Sequence, residues 1–196
     1  RFHKKGTALI TNMNQPLGNM VGHSLEIIES IETLKGNGPH DLTELSLQLS
    51  AYMILQAEKA SNFDQAYSLA QKSIEDGSAL EKFRNLISNQ GGDSSVIDDY
   101  SRLEVAKTKT KVIAPSSGYI ESCQCADIGH QLIKLGGGRN TKADIIDVSV
   151  GFEFHKKISD QVSEGDEILT IYHHEAQKDV AEKIKDKFIS DIIKLT

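Results

Sequence analysis

The sequence predicts an α+β protein with a mainly helical first part and a small β-rich second part. Up to about residue 90, apolar residues recur at the spacing of helices. From about Lys107 they alternate with polar residues, which is the period of half-buried strands. The helical spacing returns after Glu175. We therefore place a domain boundary between residues 106 and 107 and expect a final helix after the strands.

The first elements predicted are a strand, a turn and a helix, which together form a typical α/β unit. Thr7–Thr11 is a short apolar run of β-forming residues and is expected to be a buried strand. Pro16 and Gly18 force a turn after it. Apolar and small residues recur at helical spacing over Met20–Leu34, and Gly36 is placed to end this helix in a left-handed conformation.

Three further helices are predicted before residue 91. Asp41 and Glu44 have the spacing of a capping box, and leucines at helical spacing follow them. The next helix is expected over residues 64–75. Ser78 and Glu81 repeat the capping-box spacing at the start of the last one. These helices are expected to form one layer against a sheet.

The second part contains alternating patterns and one strong turn signal. Val148, Val150, Phe152 and Phe154 alternate with small or polar residues, which predicts a half-buried strand. A Gly165-Asp166 turn lies between two apolar strand ends and indicates a hairpin. The helical period over residues 175–195 predicts the C-terminal helix.

Composition excludes several functional classes. The 196 residues carry 22 Lys+Arg and 28 Asp+Glu, a formal net charge of −6, so no basic footprint for nucleic acid is present. No apolar run approaches the roughly 20 residues that span a membrane. Cys123 and Cys125 have no second cysteine pair with which to complete a zinc site. We expect a cytoplasmic protein with reduced thiols and no nucleic-acid or membrane partner.

Three motifs could carry chemistry, but each has a simpler structural interpretation. The glycines before Arg139 could cradle an anion, although they lack the lysine of a phosphate-binding loop and suit a turn better. His173 and His174 are adjacent, so on a strand they would point to opposite faces and could not share a metal ion. Residues 155–157 (His-Lys-Lys) are expected to be a solvated turn at a strand end. No catalytic constellation can be recognised.

The loop over residues 15–21 is better placed for a ligand. It lies between a predicted strand end and a helix start, where ligands collect in α/β proteins. A turn there frees backbone carbonyl groups to face a cation, and Glu29 in the following helix could add a carboxylate. A surface position for Glu29 is the alternative.

A series of sequence blocks, in order along nearly the whole chain, closely resembles the pyrimidine-nucleoside phosphorylase (thymidine phosphorylase) family. The blocks are Ala8-Leu-Ile-Thr-Asn-Met-Asn-Gln-Pro-Leu-Gly18, Val21-Gly-His-Ser-Leu-Glu26, Ile31-Glu-Thr-Leu-Lys-Gly-Asn-Gly-Pro39, Ala79-Leu-Glu-Lys-Phe83, Gln90-Gly-Gly-Asp93, Ser117-Gly-Tyr119, Leu135-Gly-Gly-Gly-Arg139, Val150-Gly151 and His155-Lys-Lys157. The resemblance implies that residues 1–106 are the C-terminal part of an α/β domain with a mixed sheet. It also implies that residues 107–196 are the family's C-terminal β domain, similar to the barrel-sandwich fold of biotinyl and lipoyl carriers, with the terminal helix.

The resemblance also implies an activity and one site. The activity is the reversible phosphorolysis of thymidine, uridine or deoxyuridine, in which inorganic phosphate attacks C1′ and releases the free base and a (deoxy)ribose 1-phosphate. In the family, the phosphate- and base-binding residues and the dimerisation lobe lie in an upstream segment, so no catalytic residue carries over and this portion alone is expected to be inactive. A potassium ion is implied at the backbone carbonyl groups of Leu17 and Met20 and the carboxylate of Glu29.

Two other interpretations remain open from the sequence. The chain could be a non-catalytic structural or binding module derived from this family. It could also be a relative of anthranilate phosphoribosyltransferase, which resembles the α/β part. The β-rich region after Lys107 counts against that relationship, because such transferases have no domain of this kind.

Overall fold

The computed structural model describes residues 6–196 and shows an α+β protein. The chain divides into two compact units. The helical unit comprises residues 6–11 and 29–100, and the β unit comprises residues 12–28 and 101–196. Residues 1–5, with which the first predicted domain begins, lie outside the described residues. No helix within residues 6–196 is both long and apolar enough to cross a membrane.

The helical unit is built from neighbouring helices. The elements are α1 (His23–Leu34), which begins in the β unit, α2 (His40–Gln56), α3 (Phe63–Glu75) and α4 (Ser78–Asn89). Helices α2 and α3 pack together, and Phe63 lies between Tyr52 and Tyr67 with ring-centre distances of 4.8 and 6.2 Å. The four predicted helices are confirmed.

The helix ends differ in part from the prediction. Gly36 has φ +87°, as expected for a left-handed residue after α1. The two capping boxes are absent: Pro39 and Gly77 occupy the N-cap positions of α2 and α4, with no side-chain cap. Asn62 caps α3 by accepting a hydrogen bond from the Gln65 N–H.

The predicted strand over Thr7–Thr11 is wrong. These residues are irregular and mainly exposed, and the Ile10 side chain is fully exposed. A strand needs a neighbour for its backbone hydrogen bonds, and no strand within the described residues pairs with this segment. All strand pairings described are antiparallel, so the mixed sheet expected for residues 1–106 is not found there.

The β unit contains two small antiparallel sheets. One has the order β1 (Met20–Val21), β4 (Gly151–Phe154), β6 (Glu167–His173), β2 (Thr108–Ile113). The other has the order β5 (Gln161–Val162), β3 (Gly118–Cys123), β7 (Ile193–Leu195). Two helices, α5 (Cys125–Leu132) and α6 (Lys178–Lys187), complete the unit.

Alternation along β4 produces the core of the β unit. Val150, Phe152 and Phe154 are almost fully buried, as the period of two predicts, but Val148 is exposed and lies before the strand. The Phe188 ring packs edge-on against both phenylalanine rings of β4, with centroid distances of 5.2 and 6.2 Å. The expected strand is therefore confirmed, and its buried face forms the centre of one contiguous apolar cluster.

Two predictions for the β unit need correction. The turn at Gly165 is present, with φ +90°, but β5 and β6 do not pair with each other and belong to different sheets. The turn therefore passes the chain from one sheet to the other. The C-terminal helix ends earlier than predicted, because the chain after Ile192 extends as β7 and pairs with β3.

Candidate functional site

The loop before α1 is the predicted ligand-binding region, and the β unit holds it by its backbone. We call residues 15–20 the carbonyl loop. Strand β1 at its end pairs with β4 in the register Met20 to Glu153 and Val21 to Phe152. The Phe154 N–H donates a hydrogen bond of 2.7 Å to the Asn19 carbonyl oxygen, which continues this pairing. Met20, expected in the helix, is therefore part of a strand.

Gly22 allows β1 to lie this close to β4. Its φ is +132°, and a Cβ atom at this position would lie 2.6 Å from the Val150 carbonyl oxygen. Residues with a side chain therefore face both backbone strain and a steric clash here. The Gly22 N–H donates to the Glu26 Oε1 atom at 2.9 Å, which satisfies a backbone group at the start of α1.

Residues 157 and 158 hold the other end of the carbonyl loop. The Lys157 ammonium group donates hydrogen bonds to the carbonyl oxygens of Pro16, at 2.7 Å, and Gly18, at 2.5 Å. The Ile158 N–H donates to the Gln15 Oε1 atom at 2.9 Å. Pro16 and Gly18 are buried, so their carbonyl groups need such partners.

Lys157 was expected to be a solvated turn residue, and this expectation is wrong for its side chain. The Lys157 side chain is half-buried and bound to a segment 141 residues earlier in the sequence. Lys156 fits the expectation better, because its ammonium group lies 3.3 Å from the Gln161 carbonyl oxygen and 3.8 Å from Asp166. Spacing along the sequence carries no signal for a contact of this kind.

The three predicted potassium ligands lie in different environments. Leu17 is exposed in the carbonyl loop, and Met20 is half-buried in β1; both belong to the β unit. Glu29 belongs to the helical unit, where its side chain is buried and its carbonyl oxygen accepts a hydrogen bond from the Thr33 hydroxyl at 2.8 Å. Carbonyl and carboxylate oxygens are the donors that hard cations prefer, so the donor types fit the predicted ion. The ligand set stays a prediction.

The histidine pair is divided between two hydrogen-bond networks. His173 is fully buried, with Nε2 2.9 Å from the Thr110 hydroxyl and Nδ1 2.8 Å from the His174 carbonyl oxygen. His174 Nε2 lies 3.0 Å from both the Ser149 hydroxyl and Asp147. Within residues 6–196, no group of three or more His, Cys, Asp or Glu side chains is placed to hold a metal ion.

The Asp147 carboxyl group is kept ionised by its contacts with Ser149 and His174. Burial alone would raise the pKa of the Asp147 carboxyl group, but hydrogen bonds from Ser149 and the nearby His174 lower it overall. The Ser149 hydroxyl donates to Asp147 at 2.6 Å, so it is engaged with the carboxylate. Asp147 and Ser149 both contact the same nitrogen of His174. In a catalytic triad, the carboxylate and the hydroxyl contact different nitrogens of the histidine ring.

The glycine-rich segment is a closely bonded turn. Gly136 has φ +100°, and its carbonyl oxygen accepts a hydrogen bond from the Asp147 N–H at 2.9 Å. The neighbouring carbonyl oxygens of Leu135 and Gly137 accept from Gln177 and from His23 Nε2. These bonds agree with the structural interpretation of the segment as a loop of the β unit.

The two cysteines are free thiols in half-buried positions. Burial raises the pKa of the Cys123 thiol to about 11, and the nearby Cys125 adds to this effect. A thiol with this pKa is protonated at neutral pH and is a poor nucleophile or metal ligand. Burial therefore disfavours a nucleophilic or metal-binding role for Cys123.

The comparisons with known proteins address the family directly. Residues 119–190 match the model of the pyrimidine nucleoside phosphorylase C-terminal domain. The chain is 47% identical over 178 residues to the pyrimidine-nucleoside phosphorylase of Staphylococcus aureus strain RF122, and equally to those of strains USA300 and N315. The chain belongs to the pyrimidine-nucleoside phosphorylase family. The matches cover 91% of this chain and 41% of each relative.

Membership in the pyrimidine-nucleoside phosphorylase family supports the resemblance drawn from the sequence blocks. The matched C-terminal domain also argues against a relative of anthranilate phosphoribosyltransferase, for which no such domain is expected. The chain spans about two fifths of the length of these relatives.

Proposed function

We propose that this chain is the C-terminal portion of a pyrimidine-nucleoside phosphorylase, a pentosyltransferase of pyrimidine salvage. Combined with the upstream part of the protein, it would support the reversible phosphorolysis of thymidine, uridine or deoxyuridine. The supporting observation is the 47% identity to pyrimidine-nucleoside phosphorylases over 178 residues. The boundary at residues 106 and 107, a cytoplasmic location and a homodimer formed through the upstream lobe belong to the same proposal.

Potassium is proposed as the bound cation, with Leu17, Met20 and Glu29 as the ligands that this chain contributes. Support comes from the oxygen donor set, since carbonyl and carboxylate oxygens are the ligands that hard cations prefer. A bound potassium ion would supply positive charge next to the phosphate substrate. Phosphate and the nucleoside would bind mainly to residues upstream.

The activity can be tested by fusing the chain to the upstream segment of a relative. The chain alone and a fusion to the upstream segment of a Staphylococcus aureus relative would be assayed for phosphate-dependent release of thymine and uracil by ultraviolet absorbance. We expect no release from the chain alone and release from the fusion. Release by the chain alone would place the substrate sites within these residues. A folded fusion without activity would instead support the alternative, a non-catalytic module derived from the family.

The potassium site can be tested in the same fusion with a matched pair of variants. Glu29→Gln removes the predicted carboxylate ligand and should abolish the response to added KCl and weaken phosphate binding. Glu26→Gln makes the same charge change one turn earlier in α1 and keeps an oxygen for the Gly22 N–H. We expect its potassium response to match the unmodified fusion. Equal potassium titrations for Glu29→Gln and the unmodified fusion would overturn the assignment.

A further inference from the structure

The Lys157 ammonium group binds the two backbone carbonyl groups that flank Leu17. Its hydrogen bonds to the carbonyl oxygens of Pro16 and Gly18 measure 2.7 and 2.5 Å. Hydrogen bonds from a charged donor are about twice as strong as neutral ones. Because Pro16 and Gly18 are buried, a side chain without donors at position 157 would leave both oxygens without this partner.

The Lys157 side chain is itself held in place by its backbone. The Lys157 N–H donates to the Asp160 carboxylate at 2.8 Å, and the next residue donates its N–H to Gln15. Strand β4 ends immediately before this turn and pairs with β1 on the other side of the carbonyl loop. The ammonium group therefore projects from a turn that is tied at both ends to the same loop.

We propose that Lys157 is a positioning residue that fixes the carbonyl loop and so presents the Leu17 carbonyl group to the cation. This inference rests on the proposed potassium site for its functional consequence, while the anchoring contact stands on the geometry alone. Lys157 binds the carbonyl groups on each side of Leu17, so it sets the backbone conformation at the proposed ligand. The lysine acts on the proposed cation through the loop.

The anchoring role can be tested by amide hydrogen exchange on this chain. Lys157→Met removes the donors at similar length, and Lys157→Arg keeps a charged donor. Lys156→Met is the matched control, because it removes the same charge from the adjacent residue, whose ammonium group does not bind the carbonyl loop. We expect amides of residues 14–20 to exchange at least about tenfold faster in Lys157→Met. The reason is that loss of a hydrogen bond to a charged group changes the equilibrium constant for local opening by more than about tenfold.

Exchange elsewhere in the same molecules shows whether the variants fold. Amides in the β2–β6 ladder should keep the unmodified rate in all three variants, because the hydrogen bonds lost with the Lys157 ammonium group are those to the carbonyl loop. Lys157→Arg should restore part of the protection in residues 14–20. An unchanged rate in residues 14–20 of Lys157→Met, or an equal acceleration in Lys156→Met, would overturn the inference.

The potassium dependence separates this inference from the proposed function. In the active fusion, Lys157→Met should raise the KCl concentration for half-maximal activation about tenfold, and Lys156→Met should leave it unchanged. If the unmodified fusion is active without responding to KCl, the potassium proposal fails, and exchange in residues 14–20 still decides the anchoring role. If the fusion responds to KCl equally with and without Lys157, the proposed effect on cation binding is refuted.

Discussion

The two units of the chain bury large apolar side chains to different extents. In the helical unit few such residues are buried, among them Ile31 and Ile97, and no residue of α4 is buried. This unit also contains an open cavity of about 260 Å³ lined by aliphatic and hydroxyl side chains of α1 to α4. The β unit instead encloses a contiguous cluster that includes Phe152 and Phe188.

Stability is therefore distributed unevenly along the chain. Burial of large apolar side chains is the main favourable term in folding, and each contributes about 1.5–3 kcal/mol. The β unit has many such residues, whereas the helical unit depends more on helix contacts and polar bonds at its surface. Substitutions of similar chemistry should therefore have larger effects in the β unit.

The largest effect is expected for Phe188→Ala. Phe188 is fully buried against two phenylalanine rings, and its removal should lower the free energy of unfolding by about 3–5 kcal/mol. Phe83→Ala is the matched substitution in α4, where the side chain is only half-buried, and should cost no more than about 2 kcal/mol. Urea denaturation followed by circular dichroism measures both. Equal losses would refute the contrast between the units.

The next effect concerns the glycine beside β1. Gly22→Ala should lower the free energy of unfolding by about 2–3 kcal/mol, because the new Cβ atom meets the Val150 carbonyl oxygen and the φ is positive. Gly36→Ala also has a positive φ, but the Cβ atom would meet open space, so about 1 kcal/mol is expected. Thermal and urea denaturation of both variants separate the steric effect from the backbone effect.

A smaller loss is expected from a polar bond in the helical unit. Tyr100 donates to Glu32 and accepts from the Lys35 ammonium group at 2.8 Å. Tyr100→Phe should cost about 1 kcal/mol and raise the pKa of Glu32, because the Tyr100 hydroxyl is the main cause of its lowered value. NMR titration of Glu32 and urea denaturation check both effects. Tyr67→Phe, which removes a single hydrogen bond to the Glu44 carboxylate, should cost less.

The smallest effect is a pH dependence in the β unit. Hydrogen bonds from Lys111 and Thr170 hold the pKa of Glu167 below its ordinary value of 4.5. The ionised form is stabilised by folding, so its contribution is present above pH 4.5 and is lost as the pH falls through the lowered pKa. Glu167→Gln should therefore show a weaker fall of melting temperature with acid.

Local signals predicted the helical unit well. The 3.6-residue period located all four helices, and the left-handed glycine expected after α1 is present. The Thr7–Thr11 prediction failed because an apolar run becomes a strand only where another strand pairs with it. The capping boxes failed because Pro39 and Gly77 begin their helices one or more residues before the predicted caps.

Distant pairings limited the prediction of the β unit and of the candidate site. Met20 matches the helical period of α1, yet its backbone pairs with Glu153. Residues 193–195 also continue a helical period, but they pair with β3. The resemblance to the family named Leu17, Met20 and Glu29, whereas the role of Lys157 required the structure, because no local pattern links it to Pro16.

The bond between Lys157 and Pro16 joins residues 141 positions apart, and this separation has a consequence during synthesis. At about 5–20 residues per second, the ribosome adds position 157 on the order of ten seconds after position 16. The helices between them depend on near neighbours in the sequence and can form during this interval. The carbonyl loop cannot be held by Lys157 until position 157 has been added. A nascent chain halted before β4 should therefore contain ordered helices, while protease still cleaves it near residue 17.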